Sequence, residues 1–378
     1  MKKSDCGRGC ACADGTLDPV PFGDLPSDDA WRKMQKTSHC RLVELPTLAE
    51  RMDDMKIRFW MMGLTMFLAL AFSVTATTYY INDDSTVGDV YCTQLGNDAN
   101  DGRTPATPKL TLNNLFASTS LLPGDVVLID TGTYTNNVVI GTSVVGATGN
   151  PVVFQGSTAT RPWGGGTTFS PANANAFEIR GHYLELRDIR VVGGTYGFYL
   201  FSAQNNEMKR IASVDNSAYC VRLEGASNSN AFRNCAFKSY NSAPFFAFTP
   251  AKGNYIEHSV LMSDLAGTVA GQPGTISNVV SCILVGQSGL SSDMFMADAG
   301  SYNIIYSYGL THGTYETLAE LQRINTNWHH NTVAEPKFVN AAGGDFHLVS
   351  AAGFVSNGVW VTNATAGFSP GIDFGPRE

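Results

Sequence analysis

Five eight-residue segments recur through the middle of this chain at nearly constant spacing. They read LELRDIRV from Leu184, NEMKRIAS from Asn206, NAFRNCAF from Asn230, NYIEHSVL from Asn254 and SNVVSCIL from Ser277, with offsets of 22, 24, 24 and 23 residues. Aligned without gaps, Leu186, Met208, Phe232, Ile256 and Val279 form one apolar column, and Ile189, Ile211, Cys235, Ser259 and Cys282 form a second, small-to-apolar one. Asn206, Asn230 and Asn254 recur at steps of 24. A short period with strands of three to five residues fits a solenoid. Each repeat is one coil, and each strand pairs in parallel with its equivalents above and below at about 4.8 Å. Sandwiches also have short strands, but they do not hold a regular period with matched columns, and the leucine pattern of leucine-rich repeats is missing. The predicted fold is therefore all-β, a right-handed parallel β-helix with coils of about 23 residues.

The columns carry further expectations. Asn tolerates left-handed backbone, and its amide can bond coil to coil, so the Asn column belongs at a turn. Cys235 and Cys282 share an inward column two coils apart, about 9.6 Å, beyond the roughly 7 Å a disulfide tolerates, so both are expected as free core thiols. TPKLTLNNLFAST (Thr107 to Thr119) is the best helical candidate before residue 310, placed to cap the first coil. TYETLAELQRI (Thr314 to Ile324) reads as a short surface helix.

Residues 55 to 80, MKIRFWMMGLTMFLALAFSVTATTYY, have the layout of an export signal. Lys56 and Arg58 precede an apolar run from Phe59 to Val74, and Val74-Thr75-Ala76 offers small residues for cleavage after Ala76. The run spans only about 24 Å as a helix, short of a hydrocarbon core of about 30 Å. The chain is thus read as an extension at 1–54 (an upstream start or a disordered segment), a signal peptide at 55–76 and a β-helix domain at 77–378, secreted or at the cell surface. Its membrane contact would be through the signal segment alone. Segment 1–76 carries ten charges of each sign, so residues 77–378 keep the whole chain's net −8, which disfavours general nucleic-acid binding.

The stretch YYINDDSTVGDVYCTQLGNDANDGRTPATPKLTLNNLF, followed by LLPGDVVLIDTGTYTNNVVI, resembles the opening of bacterial secreted right-handed parallel β-helix proteins of the pectate-lyase-like superfamily. EPKFVNAAGGDFHLVSAAG and SPGIDFG resemble their closing coils. The resemblance implies the fold. It does not imply one reaction, since that superfamily includes lyases, hydrolases, epimerases and non-catalytic adhesins. The chain stops at SPGIDFGPRE, where the resembled proteins continue, so a further segment is expected. Phe346 to Phe368 is expected to cover part of the last coil's open end, leaving a monomer that self-associates weakly through that end.

Alternation turns residue 187 outward, so Arg187, Lys209, Arg233 and Glu257 form an outer column. Asp188, Arg210, Asn234 and His258 form the next, at a bend. Residues 180–238 hold eight basic and five acidic groups, a local excess of positive charge. One reading is a polyanion groove following the carboxylates of a uronic-acid polysaccharide. There Lys209, Arg233 and His258 are the candidate bases for β-elimination, and Arg187, Arg210 and Lys238 the candidate substrate contacts. Glu257, Glu224 and Asp215 are the candidate ligands for a calcium ion. The other reading is a solvated charged face. His329 and His330 alternate across an extended strand and would chelate poorly. Trp163 and the scattered tyrosines are possible sugar-stacking groups. The expected function is engagement of extracellular polysaccharide, either as a uronic-acid lyase or as a non-catalytic surface or matrix adhesin.

Overall fold

Parallel pairing between successive repeats builds three sheets that wind as one solenoid. The computed structural model describes residues 76–159, 166–264, 268–272, 274–286, 297–307, 323, 326–341, 345–348, 354–356 and 359–361. The extension at 1–54, nearly all of the export signal, Trp163 and most of the surface helix at 314–324 lie outside these residues. The solenoid falls within the unit Val74–Glu378.

Among the described residues, sheet A has ten strands, from Thr78–Ile81 to Trp328–His329. Sheet B has nine, from Gly132–Tyr134 to Thr332–Val333, and sheet C has six, from Val138–Ile140 to Val269–Gly271. One coil shows the order: Glu207–Lys209 in sheet A, Ala212–Asn216 in sheet B, Val221–Glu224 in sheet C. There are about seven turns with a spacing of about 24 residues, close to the period read from the sequence. The register is the one the columns required: Leu186, Met208, Phe232, Ile256 and Val279 are successive partners in sheet A.

The interior is filled by stacked side chains from all three sheets. Phe177 and Phe198 stack at 5.1 Å with planes 10° apart, and Phe232 meets Phe245 edge-on at 4.9 Å. Asn206, Asn230 and Asn254 are fully inside, at the entry to sheet A. The backbone N–H groups of Leu184, Asn206 and Asn230 donate to the amide oxygens of Asn206, Asn230 and Asn254, at 2.9, 3.1 and 3.0 Å. The Asn column is the expected coil-to-coil hydrogen-bond ladder, but the left-handed turn residue is the one before it, Asn205, Ser229 and Gly253, and not the ladder Asn itself. Cys92, Cys220, Cys235 and Cys282 are free and buried.

The corner from sheet A to sheet B is made by a single residue in the left-handed conformation. Asp188, Arg210, Asn234, His258, Ser281, Tyr302 and His330 all have φ between 50° and 58°. This is the predicted bend column. Non-glycine residues there cost about 1–2 kcal/mol each, offset by the inward packing that the corner permits on both sides.

Helix α1 spans Leu112–Ser118, shorter than the predicted 107–119. Lys109 bridges Ile81 and its backbone bonds Tyr80 and Asn82, so the preceding residues are extended alongside the first strand. Thr111 then caps α1 by accepting the Asn114 N–H. Leu112 and Leu115 pack into the core cluster beneath. The loop before α1 is held by carboxylates: Asp98 accepts from Leu110 and Thr111, and Asp130 from Val90, Tyr91 and Cys92.

A second apolar cluster lies on the outside of sheet B. Val214, Ala236, Val260, Met262 and Val285 face outward there and are covered by Phe346, with Phe338 beside it. Phe338 and Phe346 belong to an antiparallel hairpin, Phe338–Asn340 with Asp345–Leu348. The C-terminal segment was expected over the open end of the last coil. For Phe346 this is corrected: it seals a flank, because outward sheet B columns of Val, Met and Ala need a cover as much as the end does.

Candidate functional site

The outer face of sheet A carries two neighbouring columns. One holds Arg187, Lys209 and Arg233 in register, followed by Glu257. Two residues earlier on each strand, alternation turns Glu185 and Glu207 to the same side. Their carboxylates thread between the cations. Arg187 meets Glu185 at 2.9 Å, and Lys209 meets Glu185 at 3.2 Å and Glu207 at 2.8 Å. Arg233 bonds Glu207 and, at 2.7 Å, Glu257. Arg187 also donates to the Gln155 side chain at 2.6 Å. Three cations and three carboxylates thus form a closed ladder.

The ladder sets the protonation states of its members. Burial pulls the Lys209 ammonium down, but Glu207 and Glu185 outweigh it and raise the group above the ordinary lysine range. The Glu257 hydrogen bond raises Arg233 further. Burial pushes Glu207 up, and Lys209 and Arg233 more than reverse that, holding it below the usual carboxylate value. A general base works best with a pKa near the working pH. Lys209 is displaced away from that condition.

The remaining sequence-predicted residues lie apart. Arg210 occupies the corner and binds Asp188 through two bonds of 2.8 and 2.6 Å. His258 is exposed at the same corner two coils on. Lys238 is on the outside of sheet B, beside Val214 and Met262, with its ammonium 3.8 Å from Asp264. The calcium set is not brought together. Glu257 is on sheet A, Asp215 at an irregularity in sheet B, and Glu224 on sheet C. Among the described residues no group of three His, Cys, Asp or Glu side chains is placed to hold a metal. Glu257, Glu224 and Asp215 therefore do not fit a calcium ion as a set, since they sit on three different sheets. His329 and His330 are exposed with ring centroids 4.9 Å apart, and His330 stacks on Tyr302.

The outer face of sheet C gathers residues that the sequence reading had left scattered. Tyr199, Arg222 and Phe246 are register partners on successive coils. Phe201 and Glu224 form the next outward pair, with Phe248 following on the third coil. Just before each strand, Tyr196 and Tyr219 stack across coils at 5.9 Å with planes 18° apart. Tyr219 continues to Phe246 at 4.8 Å, and Phe246 to Phe248 at 4.4 Å. Gly197 lets this face sit close to the interior, since a Cβ there would fall 2.1 Å from the Ser213 hydroxyl oxygen.

Arg222 is at the centre. Its guanidinium carbon is 4.8 Å from the Tyr196 ring centroid, 5.1 Å from Phe248, and 5.9 Å from Tyr199 and Tyr219. It donates to the Tyr196 hydroxyl and, through Nε at 2.9 Å, to Glu224. The Tyr199 hydroxyl donates to the other Glu224 oxygen at 2.6 Å. Burial, then the Glu224 hydrogen bond, pushes the Tyr199 phenol up to about 12. Burial raises Glu224, but Tyr199 and Arg222 prevail and keep it ionised, below the ordinary range. The cluster stays partly open, with Arg222 and Glu224 side chains 22% exposed and Phe201 38% exposed. At its edge Arg180 pairs with Glu178 at 2.7 Å and lies over Phe201.

This arrangement offers flat π faces next to a planar, fixed donor–acceptor pair. Aromatic faces carry negative charge density and attract C–H and cationic edges, while Arg and Glu bond hydroxyls in defined directions. The signal was present in the sequence as the same period carried further around the coil: Tyr196 to Tyr219 is 23 residues, and Tyr199 to Arg222 to Phe246 is 23 and 24. It escaped because the column mixes residue types, whereas the sheet A columns repeat theirs.

No family model and no curated protein matches this chain. Among solved structures it is similar to pectate lyase Pel9A, at 14% identity over 77% of this chain and 91% of that one, with a TM-score of 0.46. It is also similar to a rhamnogalacturonan lyase, at 14% identity over 70% of this chain and 91% of that one, with a TM-score of 0.36. The chain is a parallel β-solenoid, and these structural neighbours are polysaccharide lyases.

Proposed function

We propose that this chain is an exported β-solenoid that binds extracellular polysaccharide on the outer face of sheet C, without cleaving it. The observation that carries the reading is Arg222, held among four aromatic rings and fixed to Glu224 on an open strand face. Ordered rings beside a fixed polar pair need little reorganisation to stack a pyranose and bond its hydroxyls, which lowers the entropic cost of binding. Export is supported by the pattern at residues 55–76. The lyase alternative needs a basic group able to take the C5 proton. Of the three candidate bases, Lys209 and Arg233 are each bound by two glutamates, Lys209 is raised rather than lowered, and His258 stands at the exposed corner beyond sheet A, away from the rings of sheet C.

The test is a panel of soluble polysaccharides run through affinity electrophoresis with the chain from Thr77, followed by ultraviolet absorbance for unsaturated products, with and without calcium. Retardation without new absorbance is expected, and Tyr199→Ala with Arg222→Ala should abolish it while leaving circular dichroism unchanged. Unsaturated product from any polymer would overturn the non-catalytic reading, and its loss in Lys209→Ala, Arg233→Ala or His258→Ala would identify the base.

A further inference from the structure

Resting on the reading of sheet C as a glycan-binding face, we infer that the glycan it takes is uncharged at the sugars that contact Arg222, rather than a uronic-acid polymer. The argument is one of charge accounting at close range. Among the described residues the face carries two arginines, Arg180 and Arg222, and each is already matched by a carboxylate two residues away in sequence, Glu178 and Glu224. A uronate carboxylate approaching the rings meets these glutamates as well as the cations. If it pairs with the guanidinium N–H groups that Glu224 leaves open, it comes to lie beside the Glu224 carboxylate, which the Tyr199 hydroxyl holds in place. Two carboxylates beside one guanidinium in a partly desolvated setting repel each other.

Sugar hydroxyls face no such conflict. Glu224 accepts from them and the remaining guanidinium N–H groups donate to them, with the existing pairs intact. The rings supply the rest. They extend over three coils, about 10 Å along the solenoid axis at about 4.8 Å per step, which is room for more than one sugar. Burial of C–H faces on rings depends little on ionic strength, unlike attraction between a polyanion and surface cations.

The experiment measures binding of the full chain to neutral polymers (a β-glucan, a mannan, a xylan and carboxyl-reduced polygalacturonate) and to uronate polymers (polygalacturonate and alginate), at about 0.05 M and about 0.5 M salt. The expected result is retention by one or more neutral polymers, changed less than about 3-fold by salt. Phe201→Ala should weaken it about 10-fold. Glu224→Gln should shift preference toward uronate, because it releases Arg222. Binding confined to the uronate polymers and weakened by salt would overturn the inference and leave the binding reading standing. Binding to none of them would overturn both. Circular dichroism of each variant keeps a folding failure from being scored as a loss of binding.

Discussion

The four buried thiols are weak acids made weaker. Burial pushes Cys220, Cys235 and Cys282 up to about 12, and burial followed by the Asp130 charge raises Cys92 as well. Each sulfur sits against backbone carbonyls; Cys282 is 3.2 Å from the Val280 oxygen. A raised folded-state value means that the folded chain holds protons the unfolded chain releases. The associated stability is complete below about pH 9 and is lost as pH rises through about 12. Tyr199, also raised to about 12, adds to the same alkaline window. Melting temperatures should hold from pH 7 to about 9 and then fall steadily, and alkylation of the native protein at pH 8 should leave these four cysteines unmodified. Ready native-state labelling would mean that the core is open. Asn230 offers a second check at this scale. Asn230→Ala removes the acceptor for the Asn206 N–H and the donor to the Ala203 carbonyl, orphaning two buried groups at about 1–3 kcal/mol each. A total loss of about 3–4 kcal/mol is expected by denaturant titration, and a loss below about 1 kcal/mol would show that the ladder relaxes around the gap.

At the level of strands, charge pairing on sheet A decides how that face meets its surroundings. Glu185→Gln, Glu207→Gln and Glu257→Gln together would leave Arg187, Lys209 and Arg233 stacked and unmatched. The wild-type face should not hold an anionic polymer at low salt, whereas the triple variant should be retained and released by salt. Stability should fall modestly: the half-exposed pairs of Glu207 and Glu257 contribute about 0.2–1 kcal/mol each, and buried Glu185, which meets both Arg187 and Lys209, contributes more. A variant that elutes with the wild type would mean that these cations are not presented to solvent. The cations of this face were legible in the sequence because the 23-residue alignment put them in one column. The carboxylates between them were equally outward by alternation, but they stand two residues earlier, in a column that ends in Ala231 and Tyr255 and so shows no class repeat. Sheet C was harder still. Where its strands begin depends on the corners between sheets B and C, whose lengths vary, and Tyr199, Arg222 and Phe246 share a position without sharing a type.

For the molecule as a whole, the columns specified the solenoid, the Asn ladder and the sheet A register, while the hairpin over sheet B came from a segment outside the repeat and had no column to announce it. Phe346 is where its contribution concentrates. Phe346→Asp should expose Val214, Val260, Met262 and Val285, and the variant should sediment as larger species at high concentration and bind an apolar dye. An unchanged monomer would mean that Phe338 alone covers the patch. The in-register pairing of each coil with its two neighbours also has a mechanical consequence. A load applied at the C-terminal side reaches one strand row at a time, so the solenoid should fail like an unpicked seam. Each coil of about 24 residues would release about 80 Å of slack. The hairpin is a stitch across several rows, because Val214 and Val285 belong to strands three coils apart. In a single-molecule pulling trace its rupture should come first, as one larger force peak, and the even train of smaller peaks should follow only after it has let go.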